Sequence, residues 1–489
     1  MKIERKTLPL KERASFIKKW LEDPSHHLGL ISSIDGHQLI TLVLDAAEKT
    51  AVLYETALES DSYPSLTPRI SQAHWQERST WDMFGLLPEG HPRLKPAVLH
   101  LPYEQDFFPL RISEAEEESH RHAERMHKFL EVKGAGVYEI PVGPIHAGII
   151  EPGHFRFSCL GEVILNLEIH LGYVHRGVEK RLSEVPWRKS RFVAESAASD
   201  SLAAYALANA RAFESILQIE ASEKGRQLQI LAHEIERVAI HLSDMIGFAA
   251  DIGFTGIAAS FSRLRGQALR LADLLSGSRF LKGFIKAGGV ARDPGEQKLA
   301  QIRDLAQKLL VDIEPVSRTL LENHSVLERM EGVGRVSPAI ARNFGLTGVA
   351  GRASALAYDA RIWSELHPEY SMVLESGSDV LARAKVRIQE IFISLKIIKQ
   401  VAGQSLPGPI SIELPSELPA DSVGLGIVEG HRGEIIHLVL SDKNGKLKRY
   451  AIKDPSVNNW TALAIAVRNN LVADFPLCNK SFSLAYSGH

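Results

Sequence analysis

Between Arg226 and Gly247 apolar residues recur at three- and four-residue steps: Ile230, Ile235, Val238, Ala239, Leu242, Met245 and Ile246. That spacing predicts a helix with one buried stripe. Comparable spacing over 201–220, 258–280, 297–322 and 376–402 predicts further long helices packed as a bundle. Period-two alternation marks LITLVLDA, TAVLYETAL and PAVLHLPY within residues 1–110, beside a helical stretch at SFIKKWLED. A strand-and-turn section begins at Val137. Alternation returns at 408–453, with a hairpin signal at Asn444-Gly445 expected to cap the bundle. The fold class expected is therefore α+β. A small N-terminal α/β domain spans 1–113, and a charged linker or solvent-facing helix spans 114–136. A mainly helical bundle domain with peripheral strands and hairpins spans 137–489.

Composition narrows the function. A chain of 489 residues supports more than one core. Lys+Arg 57 against Asp+Glu 59 gives a net charge of -2, so no basic field points to nucleic acid. No apolar run approaches the roughly 18–20 residues of a spanning helix, and the start, MKIERKTLPLKER, lacks an apolar signal core. A cytoplasmic protein is expected, able to dock peripherally on a membrane complex. Cys159 and Cys478 are the only thiols, too few for a four-thiolate iron–sulfur cluster or a disulfide framework. No GxGxxG fingerprint precedes a helix, so no dinucleotide site is implied.

Three segments carry a family resemblance. Glu77-Arg78, Asp82-Met83-Phe84-Gly85 and Gly90-His91-Pro92 resemble the signature of the 30-kDa subunit of respiratory complex I. GPIHAGIIEPGHFRF, HLGYVHRGVEK and EGVGRVSPAIARNFGLTGVAGRASALAYDAR resemble the complex I 49-kDa subunit and the large subunit of energy-converting nickel–iron hydrogenases of the formate hydrogenlyase type. VEGHRGE and KDPSVNNWTALAIAVRNNLVADFPL match the end of the same pattern. The fused order is itself a feature of the hydrogenlyase-type proteins.

Those hydrogenases hold nickel and iron with two CxxC pairs, since soft thiolates bind nickel and bridge to iron. Here the resemblance places the four ligand positions on Ala194, Ala197, Ala485 and Gly488. No thiolate-held nickel–iron centre is therefore expected, and Cys478 reads as a small buried hydrophobe. The 49-kDa resemblance instead implies a quinone-type site with His146 and Asp251 as its histidine–aspartate pair. A carboxylate beside an imidazole raises its proton affinity, so such a pair can deliver a proton to a carbonyl oxygen under reduction. The family's quinone tyrosine is replaced by Glu195. The catalytic candidates are thus His146, Asp251 and Glu195.

Two of the three have a plainer reading: His146 as a turn residue bonded to backbone, and Glu195 as an exposed carboxylate in the first turn of a helix, where acids suit the dipole. The charged residues of HRGVEK, with Arg432 and Glu434, are expected to organise the interface with a cluster-bearing partner. The small residues Ala194, Ser196, Ala197, Ala198 and Ser199 leave either a residual cavity or a gap closed by Phe482, Leu484 and Tyr486. The resemblance implies a core subunit of a membrane-bound, complex I-like oxidoreductase that binds no metal itself, with quinone as candidate ligand. Its implied partners are a small, 20-kDa-like iron–sulfur subunit and antiporter-like membrane subunits that move ions. The other reading is a non-catalytic structural and coupling subunit with a filled-in former active site.

Overall fold

The computed structural model describes residues 2–99, 107–111, 127–146, 150–364 and 367–487. Most of the charged segment from Glu114 lies outside these residues; its described end, 127–136, forms no helix or strand.

The N-terminal part contains β1 (Lys2–Thr7), α1 (Leu10–Trp20), β2 (His26–Ser33), β3 (Gln38–Asp45), β4 (Thr50–Ala57) and α2 (His74–Phe84). The strands form one sheet in the order β1-β4-β3-β2, antiparallel except for the parallel β1/β4 pair. Alternation places Val43, Val52 and Tyr54 with Ile17 of α1 on one face. Ile40, Leu42, Leu44 and Leu53 occupy the other. PAVLHLPY, expected as a strand, is none over its described residues, 96–99. The Asp82 carboxylate captures the backbone N–H groups of Ala97, Val98 and Leu99 at 2.7, 2.8 and 3.1 Å, taking the donors a ladder would need.

The second part begins with an antiparallel sheet of β5 (Val137–Val142), β6 (His154–Leu160) and β7 (Val163–His170). Helices α3 (Val178–Glu184), α4 (Ser190–Ala194), α5 (Leu202–Leu217), α6 (Glu223–Asp251), α7 (Thr255–Ser276), α8 (Glu296–Leu321) and α9 (Val380–Gly403) follow. Of these, α6, α7, α8 and α9 pack in a ring as a four-helix bundle. On α8 the buried positions Leu299, Ile302, Ala306, Leu309 and Ile313 keep the three/four step that defined it in the sequence. Strands β8 (Val423–Gly430), β9 (Gly433–Ser441) and β10 (Leu447–Lys453), then α10 (Ser456–Ala466) and α11 (Phe475–Phe482), close the described chain.

The hairpin of β9 and β10 belongs to a three-stranded sheet with β8 rather than simply capping the bundle. One face carries α5, which approaches so closely that a Cβ on Gly426 would fall 2.0 Å from the Ala208 carbonyl oxygen. The opposite face supplies Leu425, Ile427, Ile436, Leu438 and Leu440 to the core that also holds Leu30, Ile40, Leu42, Leu44 and Leu53 of the N-terminal sheet. The two parts thus share one apolar seam. Among the described residues, no helix is long and apolar enough to cross a membrane.

Candidate functional site

A cleft of about 240 Å³ lies where the loop after α4, helix α6, the β8–β9 turn and the residues around α11 meet. Its walls include Asp200, Asp244, Arg432, Lys480, Ser483 and Tyr486. Ser199 and Asp200 of the lining follow Ala197 closely in sequence, and Leu484 and Tyr486 flank Ala485.

Each charged wall residue has a partner. Asp200 takes a two-pronged bond from Arg432, at 2.5 and 2.6 Å, and Arg432 also donates to Ser201 Oγ at 3.0 Å and to the Ser483 carbonyl. Burial alone would raise Asp200, yet the guanidinium holds it well below the usual carboxylate range. Asp244 accepts from Arg387 at 2.8 Å and from Ser483 Oγ at 2.8 Å. Lys480 meets Asp251 at 2.5 Å. Gly348, at φ +66°, anchors the turn from behind; a Cβ there would lie 1.9 Å from the Arg432 carbonyl oxygen.

The sequence candidates do not converge on one point. Asp251 ends α6 and is committed to Lys480, its second oxygen Oδ2 being buried without a hydrogen-bond partner. His146 follows β5; its ring stands 5.5 Å from Phe155 and 6.3 Å from Tyr486, and its Nε2 is buried and unpartnered. Burial lowers its pKa, so it favours the neutral imidazole. Among the described residues no hydrogen bond or ion pair joins His146 to Asp251. Each instead adjoins a wall residue of the cleft: Tyr486 for His146, Lys480 for Asp251.

Glu195 stands apart. It caps the C-terminal end of α4, is 2% exposed, and accepts the Gly283 backbone N–H at 2.8 Å, so it is neither exposed nor in a first helical turn. Burial pushes its carboxyl up. It does not line the cleft. Arg432 and Glu434, expected at a partner interface, are both paired within the chain. Glu434 is fully buried against His27, Tyr358 and Lys453, and Glu179 of HRGVEK accepts from Arg449 and from the Ile452 N–H. Sequence reasoning passed over Asp200, Asp244 and Lys480; the one available signal was Asp200 closing the small-residue run AESAASD.

The donors present do not suit a thiolate-held nickel–iron pair. Ala194, Ala197 and Ala485 lie in the principal apolar core at 0, 1 and 4% exposure, and Gly488 lies outside the described residues. Cys478 is fully buried beside Arg383, and burial pushes its thiol up to about 11. In the cleft, Lys480 and Arg432 keep N–H groups beyond the bonds given above, while Ile150, Leu484 and the Tyr486 ring offer apolar cover.

Comparison with known proteins places this architecture. The family described as "Respiratory-chain NADH dehydrogenase, 30 Kd subunit" matches residues 6–119, and "Respiratory-chain NADH dehydrogenase, 49 Kd subunit" matches 251–422. Formate hydrogenlyase subunit 5 of Escherichia coli (strain K12) is 31% identical over 471 residues, covering 93% of this chain and 82% of the relative. The NADH-quinone oxidoreductase C/D subunit of Sulfurihydrogenibium sp. (strain YO3AOP1) is 26% identical, covering 89% and 85%. Among solved structures, a chain of the membrane-bound sulfane sulfur reductase, an archaeal respiratory membrane complex, matches with TM-score 0.68 and 26% identity over 72% of this chain and 98% of its own. The chain belongs to the family of complex I-like, hydrogenase-related oxidoreductase subunits in which a 30-kDa-type and a 49-kDa-type domain are fused.

Proposed function

We propose that this chain is the core subunit of a membrane-associated, complex I-like oxidoreductase and works without a nickel–iron centre of its own. Electrons arrive from an iron–sulfur cluster held by a small partner subunit, and their delivery is coupled to ion movement by antiporter-like membrane subunits. The observation that carries this reading is a charged cleft whose lining residues Ser199, Asp200, Leu484 and Tyr486 are close sequence neighbours of Ala197 and Ala485. A quinone-type head group is the acceptor this reading favours. Lys480 and Arg432 would orient its oxygens, and His146 and Asp251 would supply protons through the walls they adjoin.

Metal analysis and turnover of the purified complex test the proposal together. The expected result is no stoichiometric nickel, with reduction of a short-chain quinone. His146→Ala and Asp251→Asn should each abolish that turnover and leave assembly intact. Stoichiometric nickel would end the proposal, and unchanged electron transfer in both variants would remove the proton-donor roles. Polysulfide belongs in the same assay, because the structural neighbour is named a sulfane sulfur reductase.

A second reading, a structural and coupling subunit without catalysis, is favoured by the burial of Ala194, Ala197 and Ala485 and by the buried side chains of Phe482, Leu484 and Tyr486 around the last of them. An assembled complex that pumps ions equally well after Lys480→Met and Asp200→Asn would establish that reading instead.

A further inference from the structure

Close to the cleft wall lies a set of titratable side chains that the proposed reaction leaves unused. His241, in α6, is fully buried; its Nε2 is 2.8 Å from Glu390 Oε2 and its Nδ1 has no hydrogen-bond partner. His431 sits in the two-residue turn between β8 and β9, next to Arg432, and is 3% exposed. Neither of its ring nitrogens is hydrogen-bonded. The two rings lie 6.4 Å apart, centre to centre, at 86° to each other. Three imidazole nitrogens are thus orphaned in one buried neighbourhood.

The tautomer of His241 follows from its neighbours. Glu390 is 1% exposed; burial would raise its carboxyl, but Arg352 at 2.5 Å and Arg361 at 3.4 Å hold it well below the usual range. A carboxylate only accepts, so His241 Nε2 carries the proton and Nδ1 presents a lone pair. Orphaned polar atoms of this kind, in a buried polar pocket, are the usual hosts of an ordered internal water. The groups facing His431 are Asp200, Arg432, Arg237 and His241; those facing His241 are Glu390, Arg387, Asp244 and His431.

We propose that an internal water bridges His431 and His241 Nδ1, making His241–Glu390 a buried proton acceptor reached from the cleft through His431. In the transfer His431, which burial and Arg432 keep neutral at rest, takes a proton from the cleft side on one ring nitrogen as the other gives its N–H proton to the water, and the water gives one to His241 Nδ1. His431 ends neutral, the water is regenerated, and the new imidazolium is held by Glu390. Acting beside the cleft, this device rests on the proposed reductive chemistry for its use but not for its existence.

A density map of the full chain at a resolution that shows waters, together with thermal unfolding of His431→Leu, tests the bridge. If the water is there, leucine strands both the water and His241 Nδ1, and the midpoint falls by roughly 1–3 °C. If the gap is dry, leucine removes two orphaned nitrogens and adds apolar packing, and the midpoint rises. His431→Gln, which keeps a donor and an acceptor, should fall less than His431→Leu. An empty gap in the map or a raised midpoint overturns the bridge. In the assembled complex the solvent deuterium isotope effect on turnover should increase in His431→Leu and be restored toward wild type in His431→Gln; an unchanged effect overturns the relay. A wild-type complex that reduces no acceptor refutes the proposed reaction alone, since the map and the midpoint still decide the bridge.

Discussion

Replacing Glu434 by leucine should cost more than any surface ion pair could explain. Its carboxylate is fully buried and receives Lys453 Nζ at 3.0 Å, His27 Nε2 at 2.8 Å and the Tyr358 hydroxyl. Burial alone would raise this carboxyl; Lys453 and His27 instead hold it well below the ordinary carboxylate range. His27 comes from β2 and Lys453 from β10, so the charge joins the N-terminal sheet to the C-terminal one at the edge of their shared apolar seam. Glu434→Leu leaves the Lys453 ammonium, 1% exposed, without a counter-ion, and breaking a buried pair in this way costs about 3–5 kcal/mol. Lys453→Leu strands the carboxylate and should cost about as much. The double variant removes both charges and leaves only His27 and Tyr358 short of an acceptor, at about 1 kcal/mol each. It should therefore be more stable than either single variant, a large departure from additivity. Native-state hydrogen exchange of the β2–β3 amides gives the loss at the seam, and urea unfolding gives the global value. Two single variants that each lose less than about 1 kcal/mol, or whose losses simply add in the double, would refute the reasoning.

Other consequences are simpler. Glu168 receives Lys95 at 2.7 Å and Arg93; although burial would raise its pKa, His127, Lys95 and Arg93 hold it at about 2. A depressed folded pKa contributes stability that is present above the ordinary value of 4.5 and lost as pH falls through about 2. Acid unfolding of Glu168→Gln should accordingly show a shallower pH dependence below 4.5 than wild type. Cys159 and Cys478 are both fully buried with raised pKa values, so neither should react with a thiol reagent before unfolding. Mass spectrometry of the native chain after alkylation checks this, and labelling of either would place that cysteine at the surface.

The parts of the fold that were legible in the sequence are those where one segment decides its own burial. On α6, Ile235, Val238, Leu242 and Met245 are buried as the three/four step predicts. β3 and β4 lie where alternation put them. Where a distant group intervenes, local pattern fails. PAVLHLPY alternates like a strand, but one carboxylate on α2 takes three of its N–H groups. Glu195 has the composition of an exposed helix start, yet its fate is set by Gly283, 88 residues away. Glu434 looks like a surface charge in HRGE until His27, 407 residues distant, closes on it. The candidate site follows the same rule. His146 and Asp251 could be named from motif, whereas the side chains that connect them to the cleft, Tyr486 and Lys480, lie in a C-terminal segment whose docking no periodicity specifies.

Why a cleft persists beside an apolar patch follows from the energetics of its walls. Small apolar residues such as Ala194, Ala197 and Ala485 pack at a gain of about 25 cal/mol per Å² removed from water, and nothing opposes that gain. The opposite wall behaves differently. Asp200 with Arg432, Asp244 with Arg387, and Asp251 with Lys480 are paired one acid to one base. Drawing those pairs wholly into a dry interior would remove the hydration they keep, worth several kcal/mol per ion, which one opposite charge and a few hydroxyl or carbonyl partners would have to offset. The apolar side therefore closes on itself, while the side walled by ion pairs stays open. What remains selects for ligands that hydrogen-bond to ammonium, guanidinium and hydroxyl groups. If that logic is right, Lys480→Met with Asp251→Leu, which makes this wall apolar, should shrink the cleft in a solved structure and abolish acceptor reduction together; a cleft of unchanged volume would show that backbone packing, not ion hydration, holds it open.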